Sequence, residues 1–136
     1  MKSATISRTK SAMPIRSSLV QQVSIVLTEE AHEVYTRLQM ASRRSKHEEA
    51  IFNAVVQKFD NLKLNTHYGQ AVPKQFIPNE YKTLYGVKNL FKIDMPNYWR
   101  MLYTITDGEN GTEIVVLVLD IFDHNEYNKK FGYRKK

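Results

Sequence analysis

Apolar residues recur along this chain at two spacings, and the switches between them mark out its elements. Leu19 to Leu27, LVQQVSIVL, is a β-branched run that predicts a first strand. Thr28 follows as an N-cap, with Glu29 and Glu30 in the first turn, where the helix dipole favours anions. Ala31, Val34, Tyr35, Leu38 and Ala41 then recur at steps of three and four, the pattern of an amphipathic helix ending near Ser42. Ser45 to Glu48 has the S-x-x-E form of a capping box and opens a second helix, whose stripe is Ile51, Ala54, Val55, Phe59 and Leu62. These two helices form a hairpin.

From Asn65 to Tyr85 the periodicity dissolves around Gly69, Pro73 and Pro78, with Tyr68, Phe76, Tyr81 and Tyr85 between them. A connection of that length is either functional or packed onto the sheet by its own side chains. Asn79 to Tyr85 has room for one helical turn. Val87 to Ile93 reads as a short strand, with Lys88, Leu90 and Lys92 on one face and Val87, Asn89, Phe91 and Ile93 on the other. Asp94-Met95-Pro96-Asn97 is a turn. Two apolar runs, Tyr98 to Thr106 and Glu113 to Ile121, then flank Asp107-Gly108-Glu109-Asn110-Gly111, whose glycines and Asx residues suit a hairpin loop. Trp99, Met101, Tyr103 and Ile105 alternate with Arg100 and are assigned to the core. A short helix from His124 closes the series. The expected fold is α+β, an N-terminal strand and helical hairpin packed on an antiparallel sheet, with a short C-terminal helix.

Composition narrows the picture. A chain of 136 residues with 42% hydrophobic content makes one domain, read as residues 19–136 after an arm of residues 1–18. That arm is Ser/Thr-rich, lacks the apolar centre of a secretory signal and is expected to be disordered. There is no cysteine, which suits a cytoplasmic location. The net charge of +6 is unevenly placed: residues 1–18 hold 4 basic side chains and residues 128–136 hold 5, both without an acid, while the middle holds 11 basic and 14 acidic. Basic ends on a mildly acidic body fit either a polyanion partner or plain solvated tails.

The candidate chemistry gathers around the last hairpin. Arg100 is the one cation in an aromatic and aliphatic run, and Asp123-His124-Asn125-Glu126-Tyr127 follows the last strand directly. Metal-free RNA cleavage needs a base for the 2′-hydroxyl, an acid for the leaving oxygen and fixed cations for the charge on the phosphorane. Arg100 suits the last task, with Lys88 and Lys92 as further cations if the register brings them alongside. His124 can move protons near neutrality, and Tyr127, one helical turn on, can stack on a base or donate a proton. Lys129, Lys130 and Arg134 then suit backbone phosphate. Each has a structural alternative: Arg100 paired with Asp120 or Asp123, His124 as a helix cap, and Tyr127 with Phe131 as a helix face on the sheet. His32, His47 and His67 show no metal-ligand spacing, and neither a metal nor another cofactor is expected.

The element order, together with GVKNLFKIDMPNYWRMLYTI, EIVVLVLDIFDH and HNEYNKKFGYR, resembles the RelE/ParE toxin superfamily of type II toxin-antitoxin systems. The resemblance covers roughly residues 19–134, and its most family-like features are the Arg of the YWRMLYTI strand and the H-x-x-Y pair. It implies a toxin neutralised by a cognate antitoxin, with DNA contacted only through the antitoxin complex and no membrane partner. RelE-type members are metal-independent, ribosome-dependent endoribonucleases that cleave mRNA and so inhibit translation; ParE-type members share the fold and act on DNA gyrase. A degenerate member that only binds antitoxin or nucleic acid is a third possibility. This chain departs from the RelE pattern in its acidic core. Histidine-using variants also pair that residue with a glutamate before the Arg strand, and Glu80 is the one acid between Asp60 and Asp94.

Overall fold

The computed structural model describes residues 22–108 and 111–132, so the expected arm of residues 1–18 and the C-terminal Arg134 lie outside the described residues. Strand β1 is Gln22–Leu27 and leads into helices α1, Glu29–Ala41, and α2, Lys46–Leu64. A two-residue strand β2, Gln70–Ala71, and helix α3, Asn79–Tyr85, occupy the long connection. Strands β3, Phe91–Met95, β4, Trp99–Asp107, and β5, Glu113–Phe122, complete the sheet, and helix α4, His124–Phe131, follows.

Both helix starts use the predicted caps. Thr28 Oγ1 accepts from Ala31 N at 3.1 Å while donating to Leu119 O at 2.8 Å, so one hydroxyl caps α1 and ties it to β5. Ser45 Oγ accepts from Glu48 N. Its own N–H bonds Ala41 O instead of the Glu48 carboxylate, so the box is used in one direction only.

The five strands lie in the order β1-β5-β4-β3-β2. The pairs β2·β3, β3·β4 and β4·β5 are antiparallel as expected, but β1 joins β5 in parallel, from Gln22 opposite Glu113 to Leu27 opposite Val118. The sheet is therefore mixed. Pairing between strands so distant in sequence leaves no local signal.

Alternation along β4 divides two cores. Met101 and Tyr103, with Phe91, Ile93, Val116, Val118 and Ile121, pack under Ala31, Leu38, Ile51, Val55 and Leu62 of the helical hairpin. Leu102 faces the opposite way and packs with Leu119, Leu90, Val87, Ile77, Tyr81 of α3 and Tyr127 of α4. Both faces of the sheet are thus covered. In β5 the register shifts between Leu102 opposite Asp120 and Tyr103 opposite Val118, which leaves Leu119 as an inserted bulge residue.

The long connection is pinned at its start. Tyr103 Oη donates to Thr66 O at 2.8 Å and accepts from Gly69 N at 2.9 Å. A Cβ on Gly69 would lie 2.9 Å from the Tyr103 ring and hydroxyl and 3.0 Å from Lys92 O, so only glycine fits this approach. Tyr103→Phe removes the partner of two backbone groups while keeping the ring. It should cost about 1–3 kcal/mol in urea unfolding, and an unchanged midpoint would show that the tether contributes nothing.

Candidate functional site

Arg100 and Lys92 reach one aromatic ring from neighbouring strands. Arg100 is opposite Asp94 of β3 and Phe122 of β5, and Lys92 is opposite Leu102, so both cations lie on the α3/α4 face of the sheet. Arg100 Cζ lies 5.1 Å and Lys92 Nζ 5.7 Å from the centroid of the Tyr127 ring. Phe131 stacks on that ring at 4.6 Å and Phe122 meets it edge-on at 6.0 Å. The ring's quadrupole offsets the repulsion between the cations, each contact contributing about 0.5–2 kcal/mol.

Arg100 is paired with Asp94, its Nε 2.9 Å from Oδ1, and not with Asp120 or Asp123. Equal distance from the turn would have identified this cross-strand pair. The Nε hydrogen is not directed at that oxygen, however, so the contact is one of charge, and Nε has no hydrogen-bond acceptor among the described residues. With a side chain only 16% exposed, Arg100 is held in place with that donor unused.

His124 opens α4, two residues beyond the partner of Arg100, and Asp123 is the cap, accepting from Glu126 N. The imidazole is exposed; its Nε2 lies 3.1 Å from the amide nitrogen of Asn128, an arrangement in which Asn128 donates and the neutral ring carries its proton on Nδ1. Its ring neighbour is Tyr98, with centroids 5.9 Å apart. Tyr98 was not among the sequence candidates. It lies in the Pro96–Tyr98 turn between β3 and β4, where Asn97 and Tyr98 have φ of 61° and 64°. Left-handed backbone is tolerated by asparagine but costs about 1–3 kcal/mol at a residue such as tyrosine.

Several predicted residues take other positions. Tyr127 is only 5% exposed, so its ring seats the two cations and has no open face for a base. Lys88 precedes β3 rather than lying on it, and flanks a groove with Thr104 to Asp107 at the hairpin end of β4. The six residue steps from Arg100 to Thr106 span roughly 20 Å of strand, which separates Lys88 from the site. Asn89 ends the strand there: its side chain bonds Ile105 N, Ile105 O and Thr104 Oγ1 in place of backbone pairing. Glu80 is bound to Lys130 at 2.6 Å, so the proposed base and a proposed phosphate ligand neutralise each other. Lys129, 68% exposed, is 3.6 Å from Glu126 and remains open to solvent.

Lys130 also stands 3.9 Å from Asp120, which accepts from Tyr81 Oη at 2.5 Å. Burial raises the Asp120 carboxyl above its ordinary range, against the lowering effects of the Tyr81 hydrogen bond and Lys130. Burial also raises the Tyr81 phenol, so it stays a donor. Beside this network a cleft of about 410 Å³ is lined by Glu30, Glu33, Arg37, Trp99, Asp120, Asp123 and Glu126. Five carboxylates against one guanidinium make it hostile to a polyanion. Among the described residues no three His, Asp or Glu side chains are grouped to hold a metal ion, and no helix is long and apolar enough to cross a membrane. Compared with protein-family models, curated proteins and solved structures, the chain matches none.

An acid whose pKa is raised by folding subtracts stability above its titration and returns it as the pH falls. Asp120→Asn keeps an acceptor for Tyr81 and removes the buried charge. The variant should equal or exceed wild-type stability at pH 7, with the difference shrinking as the pH is lowered through the carboxyl's titration. A deficit at pH 7 that vanishes in acid would reverse the sign and show that the Lys130 pairing dominates.

Proposed function

We propose that this protein is a metal-independent endoribonuclease of the RelE type, acting on ribosome-bound mRNA and restrained by a cognate antitoxin. The observation that carries the reading is the convergence of Arg100 and Lys92 on the Tyr127 ring, with His124 one helical turn before that ring. Two fixed cations answer the two negative charges of a pentacoordinate phosphorane. They are partly desolvated, which strengthens their field, and they are held before substrate arrives. Arg100 keeps its charge at any working pH, and a guanidinium fork matches two phosphate oxygens. His124 is exposed at the same end of the sheet; its Nδ1–H can supply a proton to the 5′-oxygen, and its Nε2 takes the proton of the 2′-hydroxyl once the Asn128 amide turns away from it. Tyr127 is a positioning residue: it sets the place of the cations and does not meet RNA. The base is His124 rather than Glu80, whose carboxylate is bound to Lys130.

The test is primer extension on mRNA after induced expression, and on programmed ribosomes with purified protein. Wild type should cut within translated codons. Arg100→Ala should lower the cleavage rate by about 10²–10³-fold through loss of charge stabilisation, and His124→Ala by about 10²–10⁴-fold through loss of proton transfer. Growth arrest with intact mRNA would overturn the RNA chemistry and point to a ParE-type target such as gyrase. Binding without cleavage by wild type would mark a non-catalytic member.

A further inference from the structure

We infer that Tyr98, together with His124, is a stacking platform for a nucleobase of single-stranded RNA next to the phosphate held by Arg100 and Lys92. This rests on the RNA reading above and names the part of the substrate that its cation site leaves unbound. The argument begins from the backbone. Met95 and Trp99 are paired partners, so Pro96, Asn97 and Tyr98 are the whole loop between β3 and β4. A loop this tight turns with the twist of its strands by taking positive φ, which glycine and asparagine supply. Asn97 meets that demand; Tyr98, at φ 64°, does so under strain.

Among the described residues nothing repays that strain. The side chain is 72% exposed, so it adds little to either core, which Met95 and Trp99 on its two sides enter instead. The ring contact it makes is with His124, itself exposed, and the two planes are inclined at 56°, so neither ring covers the other's face. A strained, solvated aromatic beside the proton-transfer residue is the arrangement expected where a ligand supplies the missing contact. Phosphate alone gives a flat ring nothing to bind. A base does, because every base presents a π face, and a phenol and an imidazole are both stacking partners. Two residues further along β4, Arg100 would hold the phosphate of the same or the adjoining nucleotide.

The test compares wild type with Tyr98→Gly, Tyr98→Phe, Tyr98→Trp and Arg100→Ala. Thermal unfolding is measured alongside fluorescence anisotropy on a labelled single-stranded RNA and on base-free polyphosphate. Tyr98→Gly should melt higher by roughly 5 °C, because glycine relieves the left-handed strain. It should nevertheless lose on the order of tenfold in RNA affinity while holding polyphosphate unchanged. Tyr98→Phe and Tyr98→Trp should bind RNA as wild type does, and Arg100→Ala should weaken both ligands. If Tyr98→Gly binds RNA as tightly as wild type while Arg100→Ala does not, the platform is wrong and the cation site stands. A lower melting temperature for Tyr98→Gly, or equal losses on RNA and polyphosphate, gives the ring a structural role and also overturns the inference. If wild type binds no free RNA, this inference falls, while the functional reading is decided separately by cleavage on programmed ribosomes.

Discussion

One inserted residue in β5 governs how the two halves of this molecule meet. With simple alternation, Val116, Val118 and residue 120 would share the face under α1 and α2, and Ile121 would point away from it. The bulge at Leu119 resets the count: Ile121 returns to the helical-hairpin core, while Leu119, Asp120 and Phe122 belong to the opposite face. Phe122 then lies on the same face as Arg100, and α4, which starts two residues later, packs Tyr127 there. The second core, the Asp120 network and the seat of the two cations all depend on that change of parity.

The charge distribution follows the same division. Of the cations near α4, Lys130 is consumed by Glu80 and Asp120, whereas Lys92 and Arg100 keep a ring as their common neighbour, with Asp94 beside Arg100. On the other side of the β5 terminus, carboxylates from α1 and α4 line the cleft. A molecule with mildly acidic body charge can therefore still present a locally positive surface, because burial and pairing, not the count of charges, decide which of them act. That is the sense in which the proposed chemistry is compatible with the composition.

Much of this architecture was legible in the sequence because its signals are local. Thr28 and Ser45 announce their helices, the stripes of α1 and α2 give their buried sides, and strict alternation placed Trp99, Met101, Tyr103 and Ile105 in the core. What escaped depends on partners far along the chain. The parallel pairing of β1, the seizure of strand geometry by the Asn89 side chain and the Glu80–Lys130 pair all join segments that carry no mark of each other. The burial of Tyr127 was one of two readings the sequence left open, since its i, i+4 spacing with Phe131 also suits a helix face on the sheet, and the second core decides for that one. Tyr98 was missed for a different reason. The D-M-P-N signal ended the turn one residue early, and a tyrosine is not where left-handed backbone is sought.

Helix α4 has only eight residues, too few to persist without something to pack against. It is also the last element of the described domain to be made. Without it, Lys92 and Arg100 lack their common ring, and Arg100 keeps Asp94 beside it. Their fixed arrangement arises only when α4 docks. Whatever loosens this one short helix therefore also disperses the two charges that its ring holds together.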